Sequence, residues 1–384
     1  MTYLILGSGR MGKAIAYDLI YNQSADKVIM GDISMDHVVD IKKSLNTDRI
    51  FPVEIDVTNI NKVASIMEGV NCAISSVVYQ YNHYVAQAAV KAGVNYCDLG
   101  QNVGIVDKEF NLSKEAIKKK ITMIPDGGLA PGMVNIIASH GIKHFDRVDE
   151  VLLRVGGLPQ YPRPPLNYNI TWSVHGLINE YIEKARVLRN YKLIEVDSLT
   201  ELETLTFKPP FNTMEAFITS GGTSTLPLSY EGKIRELNYK TIRYPNHAQI
   251  MKALIELGFT DEDKIDVDGK EVIPRDLLEV LLKAKFAQRV DDVVLLRVIV
   301  QGTKKGEKRE EVYELIDYYD KLNNMTALMR TTGFSLAIVA GLIAGGKINK
   351  FGVLTQEESI PSDIYISELK KRSINITFSE SILN

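Results

Sequence analysis

The stretch Gly7-Ser8-Gly9-Arg10-Met11-Gly12 decides the fold class of this chain. A short apolar run precedes it, an apolar-periodic stretch follows it, and Asp32 ends the next apolar run. In this context a G-x-G-x-x-G motif binds a dinucleotide, because its glycines permit a tight turn, a close approach of the pyrophosphate and close packing of the helix on the strand. The sequence therefore predicts a Rossmann domain.

The residue Asp32 also indicates which cofactor is bound. A carboxylate at this position accepts hydrogen bonds from a ribose 2′-hydroxyl and repels a 2′-phosphate. Residues 33–39 contain no arginine or lysine, so NAD is predicted, with NADP as the lesser alternative because Arg10 lies in the loop. Ligands lie at the carboxyl ends of such strands. The predicted cofactor-binding residues are Gly7, Gly9, Arg10, Met11, Gly12, Asp32, Asp56, Ser75, Ser76 and Val77. For Asp56, capping of the next helix is an equally good explanation.

Strand-like and helical segments alternate as far as residue 124, which is typical of a doubly wound parallel sheet. The turn-forming segment 125–133 predicts a hinge, and the strand-like runs 293–301 and 311–318 predict a hairpin in a second domain. That domain is expected to be α+β with a mostly antiparallel sheet. We expect a Rossmann domain at 1–130, a substrate and dimerisation domain at 131–325, and a C-terminal segment at 326–384 that returns to the Rossmann domain.

Composition and charge exclude several classes of protein. A formal net charge of -3 gives no basic surface for nucleic acid. The two cysteines, Cys72 and Cys97, lack metal-ligand spacing, so we expect buried thiols in a reducing compartment and no metal site. The N-terminus leads directly into a strand, and no apolar stretch of membrane-spanning length is expected. The sequence therefore predicts a cytoplasmic protein without a membrane partner. It is expected to be a homodimer, because an open second sheet leaves an edge uncovered.

Three later segments carry distinctive motifs: PDGGLAPGMVN at 125–135, ITWSVHGLINEY at 170–181 and LNYKTIRYPNH at 237–247. With the dinucleotide motif, they resemble the saccharopine dehydrogenase-like family over most of the chain. Within it, GGLP at 156–159 and PPLNY at 164–168 are most similar to the L-lysine 6-dehydrogenase branch. The resemblance implies NAD-dependent oxidation of the ε-amine of L-lysine, which gives 2-aminoadipate 6-semialdehyde and ammonia.

Two positions depart from the saccharopine-forming members of that family. Those reductases usually carry an acidic residue where Ala130 stands and a proline where Val174 stands. The residue at Ala130 argues against the saccharopine reaction. A saccharopine or carboxy-polyamine dehydrogenase remains the alternative, and its second substrate carboxylate would need another cation, for which Arg154, Arg163 and Arg186 are available. A further alternative is a sensor that binds NAD without turning it over.

The implied reaction requires a base, because hydride leaves only from a neutral amine and the unperturbed lysine pKa is roughly 10.4. Asp126 is the first candidate and Asp98 the second, since both lie at the ends of predicted strands. Either could instead be a turn residue that caps its own backbone. His247 is the third candidate, with a purely structural histidine as the alternative.

Four further residues are expected to bind the substrate. Arg243 suits the α-carboxylate, because guanidinium binds carboxylate in a bidentate manner, although a structural ion pair would also explain it. Trp172 could enclose the aliphatic stem or belong to the core. His175 could donate to the carboxylate, and Tyr79 could line the nicotinamide pocket or lie on the surface.

Overall fold

The computed structural model describes residues 1–100, 102–170, 173–286 and 290–383. The chain divides into two compact units. Unit 1 comprises Met1–Asp146, Thr223–Ser229 and Met329–Ile376, and unit 2 comprises Arg147–Gly222, Tyr230–Leu328 and Thr377–Asn384.

The strands are β1 (Thr2–Leu6), β2 (Lys27–Asp32), β3 (Ile50–Glu54), β4 (Cys72–Ser75), β5 (Asn95–Asp98), β6 (Thr122–Ile124), β7 (Arg147–Pro159), β8 (Ala185–Arg189), β9 (Lys192–Val196), β10 (Glu203–Thr206), β11 (Thr213–Ile218), β12 (Glu236–Arg243), β13 (Ile265–Val267), β14 (Lys270–Val272), β15 (Asp292–Lys304), β16 (Glu307–Tyr318), β17 (Gly352–Val353) and β18 (Ile376–Ile382).

The helices are α1 (Arg10–Tyr17), α2 (Met35–Leu45), α3 (Ile60–Ile66), α4 (Asn82–Ala92), α5 (Val103–Phe110), α6 (Ser113–Lys119), α7 (Val134–Ile142), α8 (Val174–Ile182), α9 (Leu226–Ser229), α10 (His247–Glu256), α11 (Pro274–Phe286), α12 (Ala327–Met329), α13 (Ser335–Ala344), α14 (Gln356–Ser359) and α15 (Ser362–Lys371).

Unit 1 is built on a parallel sheet with the strand order β17-β6-β5-β4-β1-β2-β3. Its strands bury apolar side chains that pack with the helices, among them Leu4, Ala73, Tyr96 and Met123. Nearly continuous apolar strands of this kind are expected where helices cover both faces of a parallel sheet. The predicted Rossmann fold is confirmed.

The strand register of unit 1 brings the ends of four strands into one row. Leu6 pairs with Gly31 on one side and with Ser75 on the other, and Ser75 pairs with Asp98. The loops that follow these strands therefore begin at a common edge of the sheet. This carboxyl edge is where a Rossmann sheet binds its ligand.

Unit 2 contains a mixed sheet with the order β10-β11-β12-β7-β15-β16-β18, to which β8 and β9 add through β12. β7 pairs with β12 in parallel and with β15 in antiparallel orientation. The predicted hairpin is confirmed by the antiparallel pairing of β15 with β16. It is longer than expected, because the chain reverses only at Lys305 and Gly306, whose φ values are 53° and 80°.

The compact units do not follow the three predicted segments of the chain. Unit 1 continues to Asp146 rather than residue 130, and it takes in Thr223–Ser229 from the middle of the sequence. The C-terminal segment belongs to unit 1 only as far as Ile376, and the residues after it belong to unit 2. There the Thr377 hydroxyl donates to the backbone oxygen of Glu314 on β16.

One helix among the described residues, Ala327–Ala344, is long and apolar enough to cross a membrane by length and composition. Its mean hydropathy is 1.6, and 78% of the stretch is buried inside the protein. The expectation that no apolar stretch has this length is therefore wrong. The stretch contains a single charged residue, Arg330. Burial in the protein core accounts for such a composition.

Candidate functional site

The glycine-rich loop between β1 and α1 has the geometry that a dinucleotide requires. A Cβ on Gly7, whose φ is +100°, would lie 2.7 Å from the backbone of Ser76, and one on Gly12 would lie 2.1 Å from the Gly7 oxygen. At Gly9, by contrast, a Cβ would meet nothing within 4 Å. Two glycines are therefore demanded by close packing, while the third leaves open space where a pyrophosphate can approach the backbone.

The carboxylate of Asp32 is fixed beside this loop at the end of β2. Its Oδ2 accepts hydrogen bonds of 2.7 Å from both the backbone N–H and the hydroxyl of Ser8, and its Oδ1 accepts one of 3.0 Å from the Ser34 N–H. Burial acts to raise the pKa of Asp32, but these hydrogen bonds outweigh it and lower the pKa. The side chain is therefore an ionised acceptor at the place where a ribose is expected.

Ser75 and Asp56, both predicted to bind the cofactor, have other partners. The Ser75 hydroxyl is buried and donates to Oδ1 of Asn82 at 2.8 Å. Oδ1 of Asp56 accepts from the N–H and the hydroxyl of Thr58 at 2.9 and 2.7 Å. The contacts of Asp56 favour the capping explanation, and its pKa is lowered chiefly by them.

The remaining predicted cofactor residues surround the loop. Arg10 and Met11 begin α1, and Arg10 is exposed. The Ser76 hydroxyl donates to the backbone oxygens of Leu6 and Gly7 at 3.0 and 2.9 Å, so the loops after β1 and β4 are tied together. Val77 and Tyr79 follow as half-buried residues. Their roles toward a cofactor stay predictions.

Asp98 and Asp126, the two predicted catalytic carboxylates, meet at the carboxyl edge of the sheet. Oδ1 of Asp98 accepts hydrogen bonds from the Gly100 N–H at 2.6 Å, the Asp126 N–H at 3.3 Å and the Asn82 amide at 3.2 Å. Asp126 has a φ of 65° and is 2% exposed. A Cβ on Gly100 would lie 1.5 Å from its Oδ1, so only glycine leaves room for this carboxylate.

The segment Thr223–Ser229 adds a residue that the sequence analysis missed. The hydroxyl of Ser224 donates to Oδ2 of Asp126. Glu357 holds the same segment, because its carboxylate accepts from Thr225 at 3.1 Å and from Ser229 at 2.7 Å. Nothing in the local sequence around Ser224 indicates this contact, since it joins residues 98 positions apart.

A third buried carboxyl group, that of Glu109 on α5, lies behind Asp98. The two groups interact electrostatically, and Tyr96 donates to Oε1 of Glu109 at 3.3 Å. Within the described parts of the chain, Oδ2 of Asp98 and Oε2 of Glu109 have no hydrogen-bond partner. Burial raises the pKa of Asp98 to about 6 and that of Glu109 well above its usual value. We infer that the pair shares one proton, which would give both oxygens a partner.

We predict that this shared proton makes the stability of the protein pH-dependent. Both folded-state pKa values are raised, so the stabilisation is complete below the unfolded pKa of roughly 4 and is lost as pH rises through the folded pKa. Replacing Glu109 by glutamine supplies a permanent donor to Asp98. Between pH 5 and pH 8, we expect the free energy of unfolding to fall more in wild type than in Glu109→Gln. The difference between the two falls should be about 1–3 kcal/mol. Urea unfolding at both pH values measures this. The exposed Glu115→Gln is the control, and parallel profiles for wild type and Glu109→Gln would contradict the shared proton.

Arg243, the predicted carboxylate anchor, ends β12 in unit 2 and is 4% exposed. Its Nε donates to the hydroxyl of Tyr181 at 3.0 Å, and its Nη1 donates to the Ile242 oxygen at 2.9 Å. The guanidinium also lies 4.5 Å from the centre of the Tyr168 ring. No carboxylate of the described chain pairs with it, and no described residue accepts a hydrogen bond from its Nη2. A structural ion pair therefore does not explain this arginine.

The predicted base His247 is buried behind Arg243. Its Nδ1 lies 2.9 Å from the Leu166 backbone oxygen and its Nε2 lies 3.0 Å from the Tyr181 hydroxyl. The consistent assignment has Nδ1–H donating to Leu166 and Nε2 accepting from Tyr181. Burial, with the charge of Arg243, lowers its pKa to about 3. A neutral ring with both nitrogens occupied favours the structural explanation over a base.

Glu180, next to Tyr181 on α8, is a candidate that the sequence analysis quoted but did not select. Its carboxylate is half-buried and makes no hydrogen bond or ion pair within the described ranges. Burial raises its pKa to about 8, although the charge of Arg243 acts in the opposite direction. A titratable group without partners beside a buried cation suits a binding site.

His175, another of the predicted substrate residues, lies at the start of α8. Nδ1 of His175 is 2.9 Å from the Glu279 carboxylate and 3.3 Å from Arg275, and its side chain is 43% exposed. These contacts tie His175 to α11 and do not include Arg243. Trp172 lies outside the described residues, so its role stays a prediction.

Comparisons with known proteins agree with this architecture. The family model described as the saccharopine dehydrogenase NADP binding domain matches residues 3–124, and that of the saccharopine dehydrogenase C-terminal domain matches residues 128–374. A solved apo saccharopine dehydrogenase (L-Glu forming) from Saccharomyces cerevisiae has a TM-score of 0.82 with 18% identity, and 99% of each chain is covered. It shows the same fold.

Curated relatives are distant in sequence. Saccharopine dehydrogenase [NADP(+), L-glutamate-forming] from Schizosaccharomyces pombe is 26% identical over 53% of this chain and 47% of its own length. The mitochondrial alpha-aminoadipic semialdehyde synthase of Bos taurus is 24% identical over 68% of this chain and 28% of its own. The chain thus spans about half or less of these relatives. Because one family model alone covers more than half of it, the chain belongs to the saccharopine dehydrogenase family.

Proposed function

We propose that this chain is a nicotinamide dinucleotide-dependent oxidoreductase that acts on a carbon–nitrogen bond of an amino acid. The observation that carries the proposal is the hydrogen bond from the Asp126 N–H to the Asp98 carboxylate, which joins the two residues at the carboxyl edge of the sheet. The first strand of the same sheet ends in the glycine loop. Acid–base groups beside a dinucleotide loop are what oxidation of an amine requires.

When bound, the nicotinamide supplies the hydride acceptor. Asp126 takes a proton from the substrate ammonium, so that the carbon–hydrogen bond next to the neutral amine can break. Ser224 holds the Asp126 carboxylate in place, and Gly100 leaves room for it. Water then adds to the iminium carbon and ammonia leaves. The proton held by Asp98 and Glu109 keeps a second negative charge away from Asp126.

We propose L-lysine as the substrate and NAD as the cofactor, with 2-aminoadipate 6-semialdehyde, ammonia and NADH as products. The hydrogen bonds that hold Asp32 ionised support NAD, because a 2′-phosphate would be repelled. The buried guanidinium of Arg243 supports a carboxylate-bearing substrate. Ala130 stands where saccharopine-forming reductases usually carry an acidic residue.

A saccharopine or carboxy-polyamine dehydrogenase is the second candidate, favoured by the activity that the names of the relatives print. Such a substrate carries a further carboxylate and needs another cation. Arg154, one arginine considered for that role, donates to Glu203 and, at 2.8 Å, to Asn238. Its charge is therefore already used within unit 2.

The test is NADH or NADPH production, followed by absorbance, with purified protein at mildly alkaline pH. L-lysine, saccharopine and ornithine are supplied separately with each cofactor. Turnover of L-lysine with NAD supports the proposal, and turnover of saccharopine alone replaces it with the second candidate. Cofactor binding without turnover of any substrate would favour the alternative of a sensor that binds NAD without turning it over.

Cofactor choice is tested separately through Asp32. We expect Asp32→Ala to lower kcat/KM for NAD by about 10- to 100-fold, because a charged hydrogen bond to the ribose is lost. The preference should move toward NADP, because the repulsion of a 2′-phosphate is also removed. Asp48→Asn, an exposed charge in the same unit, is the control. A wild-type preference for NADP would overturn this assignment.

A further inference from the structure

The glycine-rich loop uses two of its hydrogen-bond donors on the protein itself. The N–H and the hydroxyl of Ser8 both donate to Oδ2 of Asp32 at 2.7 Å. The N–H of Ser34 donates to Oδ1 of the same carboxylate at 3.0 Å. Three hydrogen bonds from two loops thus hold both oxygens of Asp32, and Ser8, which the sequence analysis did not select, supplies two of them.

The two loops that supply these donors are fixed by the backbone. The Gly7 N–H donates to the Gly31 oxygen at 2.8 Å, so the turn before Ser8 is attached to the end of β2. The Ile55 N–H donates to the backbone oxygen of Asp32 at 2.9 Å, which attaches the start of the second loop to the chain after β3. Because the donors cannot follow the carboxylate, its rotation about the Cα–Cβ bond would break all three hydrogen bonds.

This restraint decides how well Asp32 can exclude a 2′-phosphate. A free aspartate has several staggered rotamers, so it can turn away from an approaching phosphate at small cost. Hydrogen bonds to a charged carboxylate are about twice as strong as neutral ones, so a carboxylate that accepts three of them stays in place. Among the described residues no lysine, arginine or histidine forms an ion pair with Asp32, so no cation offsets the repulsion between the carboxylate and a phosphate.

We propose that Ser8 is a positioning residue that sets cofactor specificity: its hydroxyl prevents Asp32 from turning away and so excludes the 2′-phosphate of NADP. Asp32 itself contacts the adenosine ribose, and Ser8 acts through it. This role rests on the proposed function only in taking a nicotinamide dinucleotide as the ligand. It requires no particular substrate and no turnover.

Removal of the Ser8 hydroxyl separates this restraint from a simple effect of charge. The hydroxyl also screens the negative charge of Asp32. If screening were its only role, Ser8→Ala would strengthen the repulsion of a 2′-phosphate and widen the preference for NAD. If the hydroxyl restrains the carboxylate, the same substitution lets the carboxylate turn away, and the preference narrows. The sign of the change therefore identifies the mechanism.

The test is calorimetric titration of the full chain with NAD and with NADP, without substrate. We expect Ser8→Ala to lower the ratio of the NADP Kd to the NAD Kd by about 10- to 100-fold, the effect of one hydrogen bond to a charged group. Ser34→Ala is the matched control, because its contact with Asp32 comes from the backbone N–H, which alanine keeps. In an Asp32→Ala background, Ser8→Ala should leave the ratio unchanged.

The outcomes separate this role from the choice of NAD. A ratio in Ser8→Ala that equals or exceeds that of wild type would overturn the role of Ser8, and so would an equal fall in the Asp32→Ala background. A wild type that prefers NADP, with a ratio that still falls in Ser8→Ala, would overturn NAD as the cofactor and leave the restraint standing. A wild type that binds neither cofactor would overturn both. Thermal melts without cofactor show whether each variant is folded, and Ser8→Gly, which also lacks the hydroxyl, replaces Ser8→Ala if that variant melts early.

Discussion

Asp126→Asn is expected to lower kcat on L-lysine by about 100- to 10,000-fold at neutral pH, the range that general acid–base catalysis contributes. The substitution keeps the size of the side chain and can keep the contact with Ser224, but it removes the base that takes the proton of the substrate ammonium. A base of this kind is needed less as solvent deprotonates the amine. The deficit should therefore shrink as pH rises toward roughly 10.4, the unperturbed lysine value.

The measurement is kcat between pH 7 and pH 10.5 for wild type, Asp126→Asn and the exposed Asp107→Asn of α5. The control should follow wild type at every pH. Ser224→Ala should give a smaller loss, because Asp126 keeps its charge and loses only one contact. An Asp126→Asn enzyme with wild-type kcat at neutral pH would remove Asp126 from the mechanism.

Arg243→Lys is expected to lower kcat/KM for L-lysine by about 100- to 1,000-fold, since two charge-assisted hydrogen bonds are weakened together. A lysine keeps the positive charge but loses the planar fork, the stacking on Tyr168 and the Nε contact with Tyr181. Cadaverine has no carboxylate, so its much lower kcat/KM should hardly change. A loss of kcat/KM for L-lysine but not for cadaverine would show that Arg243 binds the substrate carboxylate and does not only support the fold.

The matched control is Arg154→Lys, because Arg154 is equally buried in unit 2 but pairs with Glu203. We expect it to lower the melting temperature while leaving kcat/KM for both amines near wild type. An equal loss on L-lysine and cadaverine in Arg243→Lys would show a structural effect. An unchanged kcat/KM for L-lysine would exclude the anchor.

The cofactor loop could be predicted from the sequence because its requirements are local. Tight packing at Gly7 and Gly12 and the hydrogen bonds of Ser8 with Asp32 depend on residues close in sequence or on adjacent strands. The meeting of Asp98 and Asp126 was predictable for a related reason. Neighbouring parallel strands end at one edge, so the residues that follow them converge.

The partners of Asp98 and Asp126 could not be predicted from the sequence. Glu109 lies on a helix, where a glutamate is normally a solvated surface charge, and only its burial shows otherwise. Ser224 reaches Asp126 only because Glu357 holds the segment Thr223–Ser229 in unit 1. Such contacts depend on tertiary packing, which periodicity does not encode.

In unit 2 the sequence indicated the right segments but not the right side chains. The stretch 177–181 supplies both Glu180 and Tyr181, whereas His175 at the start of the same helix turns to Glu279. His247 lies four residues after Arg243 and contacts the same tyrosine, but as a buried neutral ring. Spacing along the chain does not distinguish a group that is open to a ligand from one that is enclosed.

The passage of the chain back and forth between the two units limits how this protein can be divided. Residues 1–146 alone would lack the edge strand β17, the buried helix α13 and the serine that contacts Asp126. A gene fragment that encodes only the N-terminal stretch is thus an incomplete domain, and grafting it onto another protein would transplant half a fold. Recombination at residue 130 would cut through unit 1, so the two units are expected to be inherited together.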